Sequence, residues 1–246
     1  MKNFFTIILL TLFLATTVSC GSSNIATWHT NYDEALEIAK AENKAVVVFF
    51  SGDGWDNGSE MLKKQFYETD EFCKAVAKNF VLVNLNFTQN NEEGQFSEDF
   101  QEKYMIAQKY KVNSIPGIFV ATYNGNVVEA VNINYQEHSD PVKVAKIFNT
   151  YAKRAKIITN ALEKLQTIEG FARVKIINKL YEACSKNHLF EFNNYFSEVL
   201  TLDPTNKSGL LGRYKLHRAY TDSMTDLSEG NLEQATNRFL ILTEEP

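Results

Sequence analysis

A run of six β-formers, Ala45-Val46-Val47-Val48-Phe49-Phe50, passes directly into Ser51-Gly52-Asp53-Gly54-Trp55-Asp56-Asn57-Gly58-Ser59 and then Glu60-Met61-Leu62. A strand that is apolar at every position has both faces covered, so it belongs inside a sheet with layers above and below it. The glycines that follow mark a connection, and Glu60-Met61-Leu62 opens a helix. A helix starting at the end of such a strand leaves the amides of its first turn unpaired, and these favour negative charge. Residues Trp55 to Ser59 therefore sit where a fold of this kind does its chemistry, although their own side chains are a poor catalytic set.

Around this stretch the elements follow one another closely. Asn31 can cap a helix over Tyr32 to Asn43, with Ala35, Leu36, Ile38 and Ala39 on one face. After the strand, the pattern predicts a helix from about Gly58 to Tyr67 and a short one from about Asp70 to Lys78. A second strand, Phe80 to Phe87, leads into a polar loop over Thr88 to Gln95, and a helix runs from about Ser97 to Tyr110. Pro116 then precedes a strand from Gly117 to Tyr123, Asn124-Gly125 signals a two-residue hairpin, and Val127 to Val131 returns. Strands joined through helical crossovers and followed by a hairpin give an α/β fold with a mixed sheet and helices on both faces.

The second half carries a different pattern. Asp140 and Pro141 start a helix on which Val144, Phe148, Tyr151, Ala155, Ile158, Leu162 and Leu165 form one apolar seam. Neither Gly nor Pro interrupts it before Gly170, so it is predicted to run about 28 residues, roughly 42 Å. Beyond it everything reads helical, over about 171–186, 189–202, 206–223 and 232–242. The net charge is −9 over residues 21–140 and +3 over residues 141–246, which suggests two units that attract each other. Arg213, Lys215, His217 and Arg218 crowd one helix and are candidates for meeting the acidic half or an acidic partner. The segments Tyr195-Phe196, Leu202-Asp203-Pro204, Ala219-Tyr220 and Gly230 to Ala235 resemble a tetratricopeptide repeat. Its spacing is too long, and the excess is expected as a loop around Asp222 to Glu229.

The first half resembles the thioredoxin fold, and in particular exported thioredoxin-like proteins with Trp-Cys-x-x-Cys after a glycine-containing loop. Ser51-Gly52-Asp53-Gly54-Trp55, Ser114-Ile115-Pro116 and Asn124-Gly125 carry the resemblance over about residues 28–152. It implies a cis peptide bond before Pro116, and a groove bordered by Trp55 in which the loop before that proline pairs with an extended substrate chain. The redox pair itself is missing, because Asp56 and Ser59 stand at the two cysteine positions. Thiol exchange needs a thiolate and a second resolving thiol, and neither side chain supplies one. Asp56 suits a helix N-cap instead, so the substitution keeps the helix start and removes the chemistry. Trp55, Ser114, Ile115 and Pro116 remain as a candidate groove for a protein or peptide partner that needs no cysteine. The alternative is a thiol-disulfide oxidoreductase working through Cys73 or Cys184. A third possibility places function in the helical half as an interaction platform. A serine nucleophile at Ser59 would need a base, for which His29 and His138 are the histidines of this half. Asp53, Asp56 and Asp70 would make only an oxygen-donor set without a recognisable loop pattern, so no metal and no cofactor is expected.

The first residues resemble a bacterial lipoprotein signal peptide: Lys2, an apolar run from Phe4 to Ala15, and Thr17-Val18-Ser19-Cys20-Gly21. That resemblance implies cleavage before Cys20, a lipid on it, and, with Gly21 following, an outer-membrane address in the cell envelope. No later segment is apolar enough to span a bilayer. The expected organisation is a signal peptide over 1–19, a tether over 20–27, a thioredoxin-like domain over 28–155 and a helical domain over 156–246. With 44% hydrophobic and 22% charged residues the chain is globular, and a formal charge of −5 gives no reason to expect nucleic acid. Cys73 and Cys184 lie beside apolar neighbours on helical patterns and are expected as buried single thiols.

Overall fold

The computed structural model describes residues 25–88, 98–134 and 137–244. The signal peptide and Cys20, and most of the predicted polar loop over 88–95, lie outside the described residues. Five strands form one mixed sheet: β1 (Trp28–His29), β2 (Ala45–Ser51), β3 (Phe80–Asn86), β4 (Gly117–Ala121) and β5 (Val127–Ala130), in spatial order β1-β3-β2-β4-β5. The first three run parallel, while β4 is antiparallel to β2 and β5 to β4. Strand β1, two residues long, is too short to carry a periodic pattern in the sequence. The hairpin also differs from expectation. The loop spans Thr122 to Asn126, Gly125 alone takes a positive φ, and a bulge at Val120/Ala121 absorbs the extra residue.

All seven residues of β2 are buried. Val47 and Phe49 face one layer, with Leu82, Ile118 and Val120; Val46, Val48 and Phe50 face the other, with Val81, Val83 and Phe119. The second layer is completed by α1 (Tyr32–Ala41) and α4 (Glu98–Lys109), and Tyr32 and Tyr110 join their hydroxyls there at 2.9 Å. Caps match the sequence: Asn31 accepts from the Glu34 amide at 2.9 Å, and Asp140 from Val142 at 2.9 Å. The helix predicted over Gly58 to Tyr67 is instead α2 (Asn57–Leu62) followed by a wider π-helical turn, Lys63–Tyr67. That turn sends two adjacent rings, Phe66 and Tyr67, into the first core layer, which regular α geometry would spread apart. α3 (Asp70–Val76) then adds Phe72 and Val76.

Helix α5 (Pro141–Leu165), 25 residues long, joins the two halves through one core. Val144 and Phe148 pack under the sheet, and the same buried cluster continues through Ile158 and Leu165 into α6 (Ala172–Ala183), α7 (Asn193–Leu202) and α8 (Leu211–Ser228). Each helix packs on the next, and α9 (Leu232–Glu244) on α8. Arg154 fixes the junction: it donates to Glu129 Oε2 at 2.8 Å, to the Ala183 carbonyl at 2.8 Å and to the Val128 carbonyl at 3.2 Å. One expectation fails here. The segment 222–228 is helical, not a loop, because Asp203 accepts from the amides of Lys207 and Ser208 and holds residues 203–210 as the long connection. Of the basic side chains of α8, Arg213 pairs with Glu182, Arg218 with Asp222, and His217 meets Asn193 Oδ1 at 2.8 Å, all within the helical half. Cys184 lies one residue beyond α6, in extended conformation, because a short 3-10 segment, Lys186–Phe192, follows instead of more helix.

Candidate functional site

The turn after β2 is held by its own backbone. Gly52 accepts from the amides of Trp55 at 3.2 Å and Asp56 at 2.7 Å, Gly54 takes a φ of +83°, and the Asp53 amide donates to Asn86 Oδ1 at 2.8 Å. Asp56 then caps α2, accepting the Ser59 amide at 2.6 Å. The same oxygen accepts the Ser59 hydroxyl at 2.6 Å, and that hydroxyl accepts the Gly52 amide at 3.0 Å. Ser59 is fully buried, so its hydroxyl is enclosed by this cap and turn. No histidine is among its hydrogen-bond partners: His29 lies on β1, and His138 bonds the Asn134 carbonyl through Nδ1. An activated serine is not built here.

Pro116 follows a cis peptide bond and stands against the first turn of α2. A β-carbon on Gly58 would lie 3.1 Å from Pro116 Cδ and 3.4 Å from Asp56 Oδ2, so only glycine lets helix and proline approach this closely. Ser114 is exposed and Ile115 half-buried against the second core layer. Trp55 turns toward β3: its indole covers Gly52 and its Nε1 donates to the Phe87 carbonyl at 2.5 Å, leaving 42% of the residue exposed. The turn thus presents Pro116 on one side and the free face of Trp55 on the other.

Two cavities meet at Pro116. One, of about 260 Å³, runs between Gly58, Leu62 and Tyr67 and the sheet residues Phe49 and Ile118. The buried Tyr67 hydroxyl has no hydrogen-bond partner among the described residues. The other, of about 390 Å³, lies between the loop before β4 and residues Asn187 and His188 of the helical half. Neither Tyr67 nor His188 carried a sequence signal, since nothing local ties them to the proline.

The two described cysteines are free and buried. Burial raises both thiols above their ordinary values, aided by Asp70 and Glu68 at Cys73 and by Glu191 at Cys184. Cys73 Sγ also donates to the Tyr67 carbonyl at 3.3 Å. Asp53, Asp56 and Asp70 are not brought together: Asp53 pairs with Lys63, Asp56 caps α2, and Asp70 pairs with Lys74 at 3.1 Å. Among the described residues no group of three or more His, Cys, Asp or Glu side chains could hold a metal ion.

Comparison with known proteins agrees with this architecture. Residues 27–120 match the model of a family described as thioredoxin-like, and this part of the chain is similar to Dsb-type proteins. Over 101 residues the chain is 28% identical to the thioredoxin-related protein DsbJ of Chlamydia pneumoniae, covering 41% of this chain and 28% of that protein. Over 86 residues it is 28% identical to the disulfide bond reductase DsbH of the same organism, covering 35% of this chain and 51% of that protein. The chain thus spans about a quarter to a half of the length of these relatives. A solved structure titled DsbH oxidoreductase aligns with a TM-score of 0.43 and 24% identity over 50% of this chain and 82% of that one. A thioredoxin from Thermus thermophilus aligns with 0.39 and 18% over 53% and 89%. No helix among the described residues is long and apolar enough to cross a membrane.

Proposed function

We propose that this protein is a redox-silent binding module of the bacterial cell envelope, tethered by a lipid on Cys20, that holds an extended protein or peptide segment in the groove formed by Trp55, Ser114, Ile115 and Pro116. The observation that carries the proposal is the closed Asp56–Ser59 pair beside an intact proline loop: one oxygen takes both the amide and the hydroxyl of Ser59, while the loop stays open to solvent. Backbone pairing along such a loop needs no thiol. One relative is named a disulfide bond reductase, which keeps thiol exchange through Cys73 or Cys184 as the rival. Burial of both thiols, and the upward push on each, weigh against it, because the thiolate is the reactive form. The helical half then serves as a rigid extension of the binding surface.

The test is a pull-down from envelope extracts paired with an insulin-reduction assay. Capture weakened by Trp55→Ala and by Pro116→Ala, with no reduction above background, is the expected pattern. Reduction abolished by Cys73→Ser or Cys184→Ser would replace this proposal with the rival.

A further inference from the structure

The 390 Å³ cavity beside Pro116 is built by both halves of the chain. Lys111, Asn113, Ser114 and Pro116 form one wall, and Asn187 and His188 the other. His188 is 3% exposed. Its Nδ1 lies 3.4 Å from Glu191 Oε1, and neither atom has a hydrogen-bond partner among the described residues. The other Glu191 oxygen is held in place by the Val127 amide at 3.3 Å. With Nδ1 beside the Glu191 carboxylate, Nε2 is the ring nitrogen left for a ligand. Lys111 stands at the rim with its ammonium 3.4 Å above the Phe190 ring, and it makes no ion pair among the described residues. A cation over a ring face keeps its charge and its outward hydrogens available.

We infer that this cavity is a carboxylate subsite at the end of the groove: it takes an acidic side chain or the C-terminal carboxylate of a peptide lying across Ser114 to Gly117. Lys111 is the cationic group that faces it, and His188 adds a ring nitrogen. The amides of Asn113 and Asn187 add neutral donors. Glu191 lies on the Nδ1 side of His188 and is not among the residues lining the cavity. A chain acidic over residues 21–140 would otherwise disfavour an acidic partner, so the Lys111 ammonium gives the groove a charge preference of its own. The inference rests on the groove proposed above.

Three hexapeptides of one alternating Thr/Val sequence, each carrying a neutral dye, test it by fluorescence anisotropy on the full chain. One is capped at both ends, one ends in a free carboxylate, and one is capped with Glu at a central position. At least one carboxylate peptide is expected to bind about ten-fold tighter than the neutral one, the worth of a charge-assisted hydrogen bond. The peptide that gains identifies the source of the carboxylate. Lys111→Asn and His188→Gln should each shrink that advantage. Lys111 has a φ of +53°, which asparagine tolerates, so this variant keeps the loop even if the buried His188→Gln does not fold. Equal binding of all three peptides, or a preference that survives Lys111→Asn, overturns the subsite and leaves the groove standing. Absence of binding by any peptide overturns both.

Discussion

A single carboxylate oxygen of Asp56 accepts the amide and the hydroxyl of Ser59, each at 2.6 Å. Capping and side-chain satisfaction are thus one interaction, placed at the two positions that the resemblance to thioredoxin-like proteins assigns to redox cysteines. Asp56→Ala should cost about 1–2 kcal/mol, combining a lost N-cap with a buried hydroxyl left short of an acceptor. Urea unfolding of the full chain measures it. Asp56→Asn should retain most of the stability, and an unchanged midpoint in the alanine variant would show that the cap is dispensable.

Thiols placed at these two positions should introduce thiol exchange. In the double variant Asp56→Cys with Ser59→Cys, a sulfur replaces the capping oxygen at the start of α2 and beside Pro116, where unpaired amides lower a thiol's pKa. Insulin reduction should rise clearly above that of the parent chain. A double variant that forms its disulfide yet stays inert would mean that the surrounding turn, and not the missing thiols, silences the site.

Gly52 and Trp55 are similarly interlocked, because the indole occupies the space a β-carbon at 52 would need. Gly52→Ala should displace the ring, break its bond to the Phe87 carbonyl, and cost about 1–3 kcal/mol through overpacking. Iodide quenching of tryptophan emission reads the displacement directly, and unchanged quenching would contradict the packing described.

Helix α5 predicts cooperative unfolding. Ile158 is fully buried in the core cluster that runs from the sheet into α6, α7 and α8. Ile158→Ala should destabilise by about 2–5 kcal/mol. Far-UV circular dichroism follows all helices, whereas tryptophan emission follows only Trp28 and Trp55 in the first half. The two curves should coincide in the parent and in the variant, and separate transitions would divide the core at α5.

Burial lowers the pKa of His217, whose ring packs edge-on against Tyr181 and Phe196. The unfolded chain then binds the proton more readily than the folded one. Stability is therefore complete above the ordinary histidine value of about 6.5 and declines as pH falls through it toward the lower folded value. The thermal midpoint should drop between about pH 7.5 and 5.5, and His217→Gln should reduce that drop. An equal drop in both proteins would assign the effect to other groups.

The caps at Asn31, Asp56 and Asp140, the central strand β2, and the positions of Trp55 and Pro116 were all legible in the sequence, because each depends on neighbours a few residues away. Strand β1, the π-helical turn at Lys63–Tyr67 and the late start of α8 were not. Two residues of strand have no period to detect; the wide turn exists to bury Phe66 and Tyr67 together; and Asp203 holds its loop through a particular hydrogen-bond geometry. By itself, then, the sequence determined the order of elements, the start of α2 and the absence of thiols at positions 56 and 59. Only the tertiary structure decided that Asp56 and Ser59 close on each other, that Trp55 folds back over Gly52, and that His188 comes to stand across from Pro116. The reason is physical: local patterns choose helix or strand through backbone geometry and caps, whereas a site's walls are set by packing between segments far apart in the chain, here brought together over α5 and Arg154.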